Sequence, residues 1–287
     1  MSLSALVFDL DETIMADNPS AEASAIATAE VASEQYGIDS TVLATSLFTS
    51  AQELWHASNL SSYPRELGIS SWEALWGDFN DSEPRLQSLS KWVPKFRVQA
   101  WHAALQENAI TDRTLALQLA DTFRRERRTR HHIFPDALAA LDDLARDYRL
   151  ALLTNGSPNV QGEKIDGANL RDRFDPIVIS GEVGAGKPEP EAFHHILRLM
   201  DLEPAKTAMI GDSFRRDIVG AARIGMFTIW INRFRKKLPE GLPDDLPDTD
   251  AEVRDLSEVR AVLFQATRYV QGASLDWLAE VMSWEDV

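Results

Sequence analysis

The chain of 287 residues contains no cysteine. Disulfide bonds, thiolate metal sites and cysteine nucleophiles are therefore excluded. Long hydrophobic runs are also missing, since no apolar segment approaches the roughly 20 residues that span a bilayer. The N-terminus lacks the basic region and the apolar region of a secretory signal. We therefore expect a cytoplasmic protein with no membrane partner.

Positive charge is scarce as well. The chain has 29 Lys and Arg residues against 45 Asp and Glu residues, and its net charge is −16. Such a charge repels the phosphate backbone of nucleic acids, so we expect no nucleic-acid partner. Surface charge is screened within about 8 Å at physiological ionic strength. A small anionic substrate therefore remains compatible with this composition, provided that a local cation attracts it into a cleft.

Two carboxylates follow the first apolar run of the chain. Residues 5–8 read Ala-Leu-Val-Phe, which predicts a strand buried on both faces of a parallel sheet. Asp9 and Asp11 come directly after this strand, where ligands bind in open α/β sheets. Carboxylates this close repel each other unless a cation or a shared proton is present. The sequence therefore predicts a metal site and a reaction at this strand end.

Strands and helices alternate in the second half of the chain. Apolar runs predict four more strands, at residues 150–154, 177–180, 207–210 and 228–231. Helical patterns separate them, at residues 136–147, 189–200 and 217–224. This alternation predicts an α/β fold, a Rossmann-like, doubly wound parallel sheet with helices on both faces.

Between the first and second predicted strands almost every pattern is helical. We therefore predict an α/β core interrupted by an all-helical unit that lies over the strand ends. The predicted limits are residues 1–15 and 133–264 for the core, 16–132 for the helical unit and 265–287 for a C-terminal helical extension. The extension packs on its own domain or serves a dimer, so both a monomer and a homodimer are compatible with the sequence.

The helical unit contains five tryptophans, at positions 55, 72, 76, 92 and 101. They predict a small helical core that needs large apolar side chains, and the alternative is that one or two of them face a substrate. Arg65, Trp76 and Arg97 are the candidates for contact with a leaving group, although polar residues of this kind more often serve an exposed or structural role.

A dense basic run spans residues 124–130. The pattern is typical of the solvated face of a helix. Two alternatives remain open, a docking patch for nucleic acid or protein and an attractive field for phosphorylated substrates near the cleft.

The second and third predicted strands also end in polar groups. Thr154 and Asn155 offer a hydroxyl and an amide of the kind that bind phosphate oxygens, although Thr-Asn-Gly is also ordinary turn chemistry. Lys187 lies on a glycine-rich loop that resembles a P-loop, but Pro188 stands where the P-loop hydroxyl is required. We therefore exclude nucleotide binding of that kind and retain Lys187 as a point charge for an anion.

The fourth predicted strand ends in Gly211-Asp212-Ser213, and Asp217 follows where a helix should begin. Asp217 alone suits a helix N-cap. Asp212 is predicted to reach the same sheet edge as Asp9 and Asp11, so we expect it to bind a metal ion.

Together these segments resemble the motifs of the haloacid dehalogenase superfamily. The first motif is matched by Asp9-Leu10-Asp11-Glu12-Thr13, the second by Thr154, the third by Lys187-Pro188 and the fourth by Gly211-Asp212-Ser213 with Asp217. They occur in the family's order, and the resemblance covers roughly residues 4–263. The helical unit resembles the family's C1-type cap, and the text around Thr154 resembles the C1-capped phosphatases.

The resemblance implies a Mg²⁺-dependent phosphatase that hydrolyses a small phosphorylated metabolite, a sugar-phosphate- or nucleotide-like monoester. Asp9 is then the nucleophile that forms an aspartyl-phosphate, and Asp11 is the general acid and later the base. The resemblance further implies that Lys187, Thr154 and Asn155 bind the phosphate, that Asp9, Asp11 (through its carbonyl) and Asp212 hold Mg²⁺, and that Thr13, Gly211, Ser213 and Asp217 support the site.

Asp11 separates the branches of this superfamily. The dehalogenases lack the second aspartate because a halide leaving group needs no acid, so its presence favours phosphate ester hydrolysis. Three alternatives stay open: a phosphomutase, a 2-haloacid dehalogenase, and a non-catalytic binding protein that keeps the fold.

Overall fold

The computed structural model describes residues 3–60, 62–238 and 249–270. Its centre is a six-stranded parallel sheet in the order β3-β2-β1-β4-β5-β6. The strands are β1 (Ala5–Phe8), β2 (Arg149–Thr154), β3 (Ile177–Ile179), β4 (Thr207–Gly211), β5 (Phe227–Ile231) and β6 (Ala251–Val253). The predicted α/β fold with a parallel sheet is confirmed.

The first strand lies in the middle of the sheet and is buried on both faces. All four of its side chains are fully buried. Its even-numbered residues pack into one apolar cluster and its odd-numbered residues into the cluster on the opposite face. Phe8 lies opposite Leu152 of β2 and Ile210 of β4. Asp9 therefore leaves the sheet at the edge where these two neighbouring strands also end.

Within the described part of residues 17–128, six α-helices pack mainly on one another. They are α1 (Asp17–Tyr36), α2 (Ser40–His56), α3 (Tyr63–Glu66), α4 (Ser71–Ala74), α5 (Gln87–Glu107) and α6 (Arg113–Arg128). One apolar cluster joins them, with side chains from α1, α2, α5 and α6 at its centre. We call residues 17–128 the helical insert. The domain limits stated above stay a prediction.

The remaining helices cover the two faces of the sheet. They are α7 (Ala137–Leu144), α8 (Pro158–Gly167), α9 (Ser180–Val183), α10 (Pro190–Met200), α11 (Gly220–Ala222) and α12 (Val259–Val270). The helices α7, α8 and α12 contribute to the apolar cluster on one face, and α10 and α11 to the cluster on the other. Helices on both faces are what a parallel sheet requires, because its strands are apolar on both sides.

The segment after β4 differs from the helix expected over residues 217–224. It forms a π-helical turn, Phe214–Val219, and only then the short helix α11. A β-carbon built on Gly211 would overlap the Asp217 carboxylate, so the wide turn brings this side chain directly onto the end of β4. The predicted C-terminal extension falls largely on residues 271–287, which lie outside the described residues. Among the helices that are described, none is long and apolar enough to cross a membrane.

The tryptophans of the helical insert form part of its core. Trp55, Trp76 and Trp101 are buried, and the last has no exposed surface. Trp92 and Trp72 are half-buried and stack on phenylalanine rings at centroid distances of 4.5 and 4.0 Å. The interpretation of these residues as core side chains therefore agrees with the structure.

The basic run over residues 124–130 is not a freely solvated face. Arg127 is completely buried and forms an ion pair with Asp17. Arg128 contacts Asp78 at 2.8 Å and Glu163 of α8 at 2.6 Å, and Arg124 also pairs with Asp78. These arginines tie parts of the insert to each other and to α8, because guanidinium groups make directed bonds to carboxylates.

We expect Trp101→Ala to lower the free energy of unfolding by about 3–5 kcal/mol, because a fully buried indole is removed and a cavity remains. Urea unfolding followed by circular dichroism measures this loss. Leu117→Ala is the matched control, since Leu117 lies in the same insert and is 54% exposed. A loss no larger than that of the control would contradict the assignment of Trp101 to the core.

Candidate active site

A polar cleft lies at the carboxyl edge of the sheet, under the helical insert. Its volume is about 290 Å³. Among the described residues, its lining holds only polar side chains and one glycine. The lining includes Asp9, Asp11, Thr154, Asn155, Lys187, Asp212, Ser213 and Asp217 from the strand ends, and Asp17, Ser70 and Glu73 from the insert. The structure therefore brings together all the strand-end acids and the lysine that the sequence predicted for one site.

Asp9 is buried and accepts a hydrogen bond from Lys187 Nζ at 2.6 Å. Its second carboxylate oxygen accepts a weaker hydrogen bond, 3.3 Å long, from the hydroxyl of Thr13. Burial raises the pKa of Asp9, and the charge of Lys187 opposes this rise. The lysine thus helps to keep Asp9 in the anionic form that a nucleophile needs.

Lys187 bridges Asp9 and Asp217. Its Nζ atom lies 2.7 Å from Asp217 Oδ1. Burial lowers the pKa of Lys187, but the two carboxylates outweigh burial and raise it, so the ammonium stays charged. Asn155 holds the lysine backbone: its Oδ1 accepts from Lys187 N at 2.8 Å, and its Nδ2 donates to Lys187 O at 2.9 Å. In this structure the Asn155 side chain positions Lys187.

Three carboxylates form a group that could hold a metal ion. Ligand oxygens of Asp9, Asp212 and Asp217 lie within 4.8 Å of one another. Asp212 also contacts Lys236 Nζ, at 3.2 Å, from the loop after β5. The pKa of Asp212 is raised, first by burial and then by the charge of Asp9. Buried oxygen ligands with an excess of negative charge fit Mg²⁺, a hard cation that prefers carboxylates.

Hydrogen bonds with neighbouring side-chain and backbone groups hold Asp212 and Asp217 in place. The Thr13 hydroxyl accepts from Asp212 N at 3.0 Å, and Trp230 Nε1 donates to Asp212 O at 2.9 Å. Ser213 N donates to Asp217 Oδ2 at 2.9 Å. The first two bonds hold the backbone of Asp212 and the third orients the Asp217 carboxylate, as outer contacts do in metal sites.

Asp11 lies apart from the acidic group and is held by a different lysine. Lys164 Nζ contacts its two carboxylate oxygens at 3.1 and 3.0 Å, and Gln161 Nε2 donates to Oδ2 at 3.0 Å. The pKa of Asp11 is raised to about 6, because burial, with the charge of Asp17 in support, raises it more than the charge of Lys164 lowers it. A carboxyl group with such a pKa can release and recover a proton near neutrality.

Gln161 and Lys164 are the functional residues that sequence reasoning missed. They lie three residues apart on α8, so they share one face of the helix. Gln161 joins Asp11 to Thr154 by donating to the threonine hydroxyl at 2.6 Å. The signal available in the sequence was two polar side chains three residues apart on a helix that directly follows β2, and only the structure shows that both are completely buried.

The three candidates in the helical insert take different positions. Arg97 is buried and donates to the carbonyls of Ala74, at 3.1 Å, and Gly77. Trp76 is buried beneath the Arg127 guanidinium, which lies 5.0 Å from its ring. The structure does not bring these two side chains to the cleft, because the insert uses them for its own packing. Arg65 lines a neighbouring cavity that shares Lys187 with the cleft.

Comparison with known proteins gives one family and several phosphatases. A family model described as haloacid dehalogenase-like hydrolase matches residues 3–225. The phosphoserine phosphatase of Thermus thermophilus is 35% identical over 256 residues, which cover 88% of this chain and 96% of the relative. The N-acylneuraminate-9-phosphatase of Mus musculus is 34% identical over 144 residues, 49% of this chain and 58% of the relative.

Among solved structures, the putative HAD-hydrolase YfnB of Bacillus subtilis, described as bound to magnesium, superposes with a TM-score of 0.60. It is 21% identical, and the match covers 92% of this chain and 99% of that one. This likeness supports the fold.

We expect Gly211→Ala to weaken Mg²⁺ binding by about 10- to 100-fold, because the added β-carbon displaces the Asp217 carboxylate from the acidic group. Isothermal titration calorimetry measures the affinity. Gly162→Ala is the control: a β-carbon there has no neighbour nearer than Arg171 Nη2 at 3.8 Å. Equal affinities in the two variants would show that the close approach at Gly211 does not organise a metal site.

Proposed function

Because this chain belongs to the haloacid dehalogenase-like hydrolase family, we propose that it is a Mg²⁺-dependent phosphatase for small phosphate monoesters. The observation that carries the proposal is that two aspartates in one cleft pair with different lysines: Asp9 forms an ion pair with Lys187, and Asp11 forms one with Lys164. Two carboxylates in different surroundings can serve as nucleophile and as acid.

Asp9 attacks the substrate phosphorus in the first step. A bond forms between its carboxylate oxygen and phosphorus while the ester bond to the leaving oxygen breaks. Asp11 gives its proton to the leaving oxygen, so the product leaves as an alcohol. Lys187 stabilises the negative charge that gathers on the phosphoryl oxygens, because a buried ammonium acts at short range and in low dielectric.

Water completes the cycle in the second step. Asp11 removes a proton from the water as its oxygen bonds to phosphorus, and the bond between phosphorus and Asp9 breaks. Inorganic phosphate leaves, and both aspartates return to their first state. Asp9, Asp212 and Asp217 would hold Mg²⁺, which when bound offsets the charge of the substrate phosphate.

The arrangement of Asp11 supports phosphate ester hydrolysis over dehalogenation. Displacement of a halide needs no proton donor, whereas an alkoxide leaves far more easily when it is protonated. A side chain held by both Lys164 and Gln161 serves a reaction that transfers protons. We therefore place the 2-haloacid dehalogenase behind the phosphatase, and release of free phosphate distinguishes the latter from a phosphomutase.

The cleft supports a compact and polar leaving group. Its volume is about 290 Å³, and the described lining holds no apolar or aromatic side chain on which a nucleobase could stack. One relative, which this chain matches over 96% of the relative's length, is named a phosphoserine phosphatase. We therefore place phosphoserine first among candidate substrates, followed by small sugar phosphates, and nucleotides last.

We expect the protein to release phosphate from phosphoserine in Mg²⁺, to lose this activity in EDTA and to regain it when Mg²⁺ is restored. Asp9→Asn should lower kcat by at least about 10³-fold, because the amide is not a nucleophile. A malachite-green assay measures the released phosphate. Asp172→Asn, at an exposed site away from the cleft, is the control.

Full activity in EDTA or in Asp9→Asn would contradict the proposed mechanism. Release of phosphate from sugar phosphates but not from phosphoserine would keep the mechanism and overturn the substrate order. No turnover of any ester would favour the binding protein, and interconversion of phosphate isomers would favour the mutase.

A further inference from the structure

One buried lysine contacts carboxylates from three parts of the chain. Lys164 is completely buried on α8. Its Nζ atom lies 3.0 Å from Asp11, 3.2 Å from Glu73 and 3.3 Å from Asp17. The carboxylates outweigh burial and raise the pKa of Lys164, so the group is an ammonium at neutral pH. The contact with Asp11 does not explain why Lys164 also contacts Glu73 and Asp17.

The three carboxylates differ in where they stand. Asp11 follows β1 and belongs to the sheet edge, whereas Asp17 begins α1, at the point where the chain enters the helical insert. Glu73 lies on α4 inside the insert. Lys164 therefore contacts one side chain from the end of β1, one from the start of the insert and one from inside the insert.

Glu73 reaches Lys164 in a fixed orientation. Its Oε2 atom accepts from the backbone N–H of Ser70 at 2.9 Å, and Ser70 Oγ accepts from Glu73 N, which together form a capping box. The other oxygen, Oε1, is thereby directed at Lys164. The side chain is buried, and its place depends on where the insert lies over the cleft.

Stability alone gives a weak reason for such a cluster. Buried charges lose their hydration, and well-packed apolar side chains often replace them without loss of stability. The three carboxylates repel each other, and the second cation of the cluster, Arg127, pairs with Asp17 alone among them and also opposes the charge of Lys164. The contact with Asp11 explains why the cluster lies beside the cleft rather than elsewhere in the core.

We propose that Lys164 is a positioning residue for Asp11 and that Glu73 couples this positioning to the placement of the helical insert over the cleft. The proposal rests on the proposed phosphatase function. When Asp11 gives its proton to the leaving oxygen, its O–H bond breaks and the remaining carboxylate is stabilised by Lys164 and Gln161. Glu73 anchors the ammonium from the insert, so the alignment of the acid depends on the insert lying over the cleft as it does in this structure.

The test uses two phosphate esters that differ in their need for an acid. An aryl ester such as 4-nitrophenyl phosphate has a good leaving group, whereas an alkyl ester such as phosphoserine has a leaving oxygen that requires protonation. We expect Lys164→Met to lower kcat on the alkyl ester by at least about tenfold more than on the aryl ester. Asp11→Asn should show the same pattern, and Lys95→Met, at an exposed lysine of the insert, neither loss.

Glu73→Gln tests the coupling to the insert and also serves if Lys164→Met fails to fold. The amide keeps an oxygen for the Ser70 bond but removes the charge that faces Lys164. We expect a smaller loss of kcat than in Lys164→Met, and this loss should again be larger on the alkyl ester than on the aryl ester. In the Lys164→Met background the Glu73→Gln substitution should add little, because its effect passes through the lysine.

The proposal would be overturned if folded Lys164→Met lost equal kcat on both esters. If Lys164→Met does not fold, equal losses in Glu73→Gln would have the same meaning. Fully additive effects of the two substitutions would also overturn the proposal. These results presuppose a wild-type protein that hydrolyses the esters. A wild-type protein that hydrolyses neither would instead overturn the phosphatase function, so the two failures are distinguishable.

Discussion

Repulsion between buried carboxylates is the constraint on which this structure depends. The register of β1, β2 and β4 brings several acidic side chains to one edge of the sheet, where burial raises the pKa of Asp9, Asp212 and Asp217. Such a group is tolerable only with cations beside it. Lys187 supplies one positive charge between Asp9 and Asp217, and the remaining excess is what a divalent metal ion would offset.

The two buried lysines divide the chemistry of the cleft. Lys187 contacts Asp9 and the acidic group, whereas Lys164 contacts Asp11 and the insert. Each lysine contacts more than one carboxylate, and these negative charges keep both lysines charged despite burial. Because separate cations hold Asp9 and Asp11, the two groups can keep different protonation states at the same pH. This division is the physical basis for assigning one as nucleophile and the other as acid.

The sequence was sufficient for five of the six described strands, β1 to β5, and for the meeting of the strand-end residues in one cleft. Short apolar runs that end in Asp, Thr or Gly-Asp predict both a strand and a polar group at its end, because parallel strands share one carboxyl edge. It was insufficient for Lys164 and Glu73, which lie more than ninety positions apart. Their pairing depends on how the insert lies on α8, and no local pattern encodes that. Arg97 and Trp76 remained candidates for contact with the leaving group, beside the favoured structural role, for a similar reason: sequence shows residue type, but not which face of a small helical core is turned inward.

The covalent step at Asp9 is the central step of the proposed mechanism. Acid quenching during turnover of phosphoserine in Mg²⁺, followed by digestion and mass spectrometry, would measure where the phosphoryl group resides. The account predicts a phosphoryl group on the peptide that contains Asp9, and a larger fraction of it in Asp11→Asn with an aryl phosphate, because water is then activated slowly. Steady release of phosphate with an unmodified Asp9 peptide, or a phosphoryl group on another residue, would contradict it.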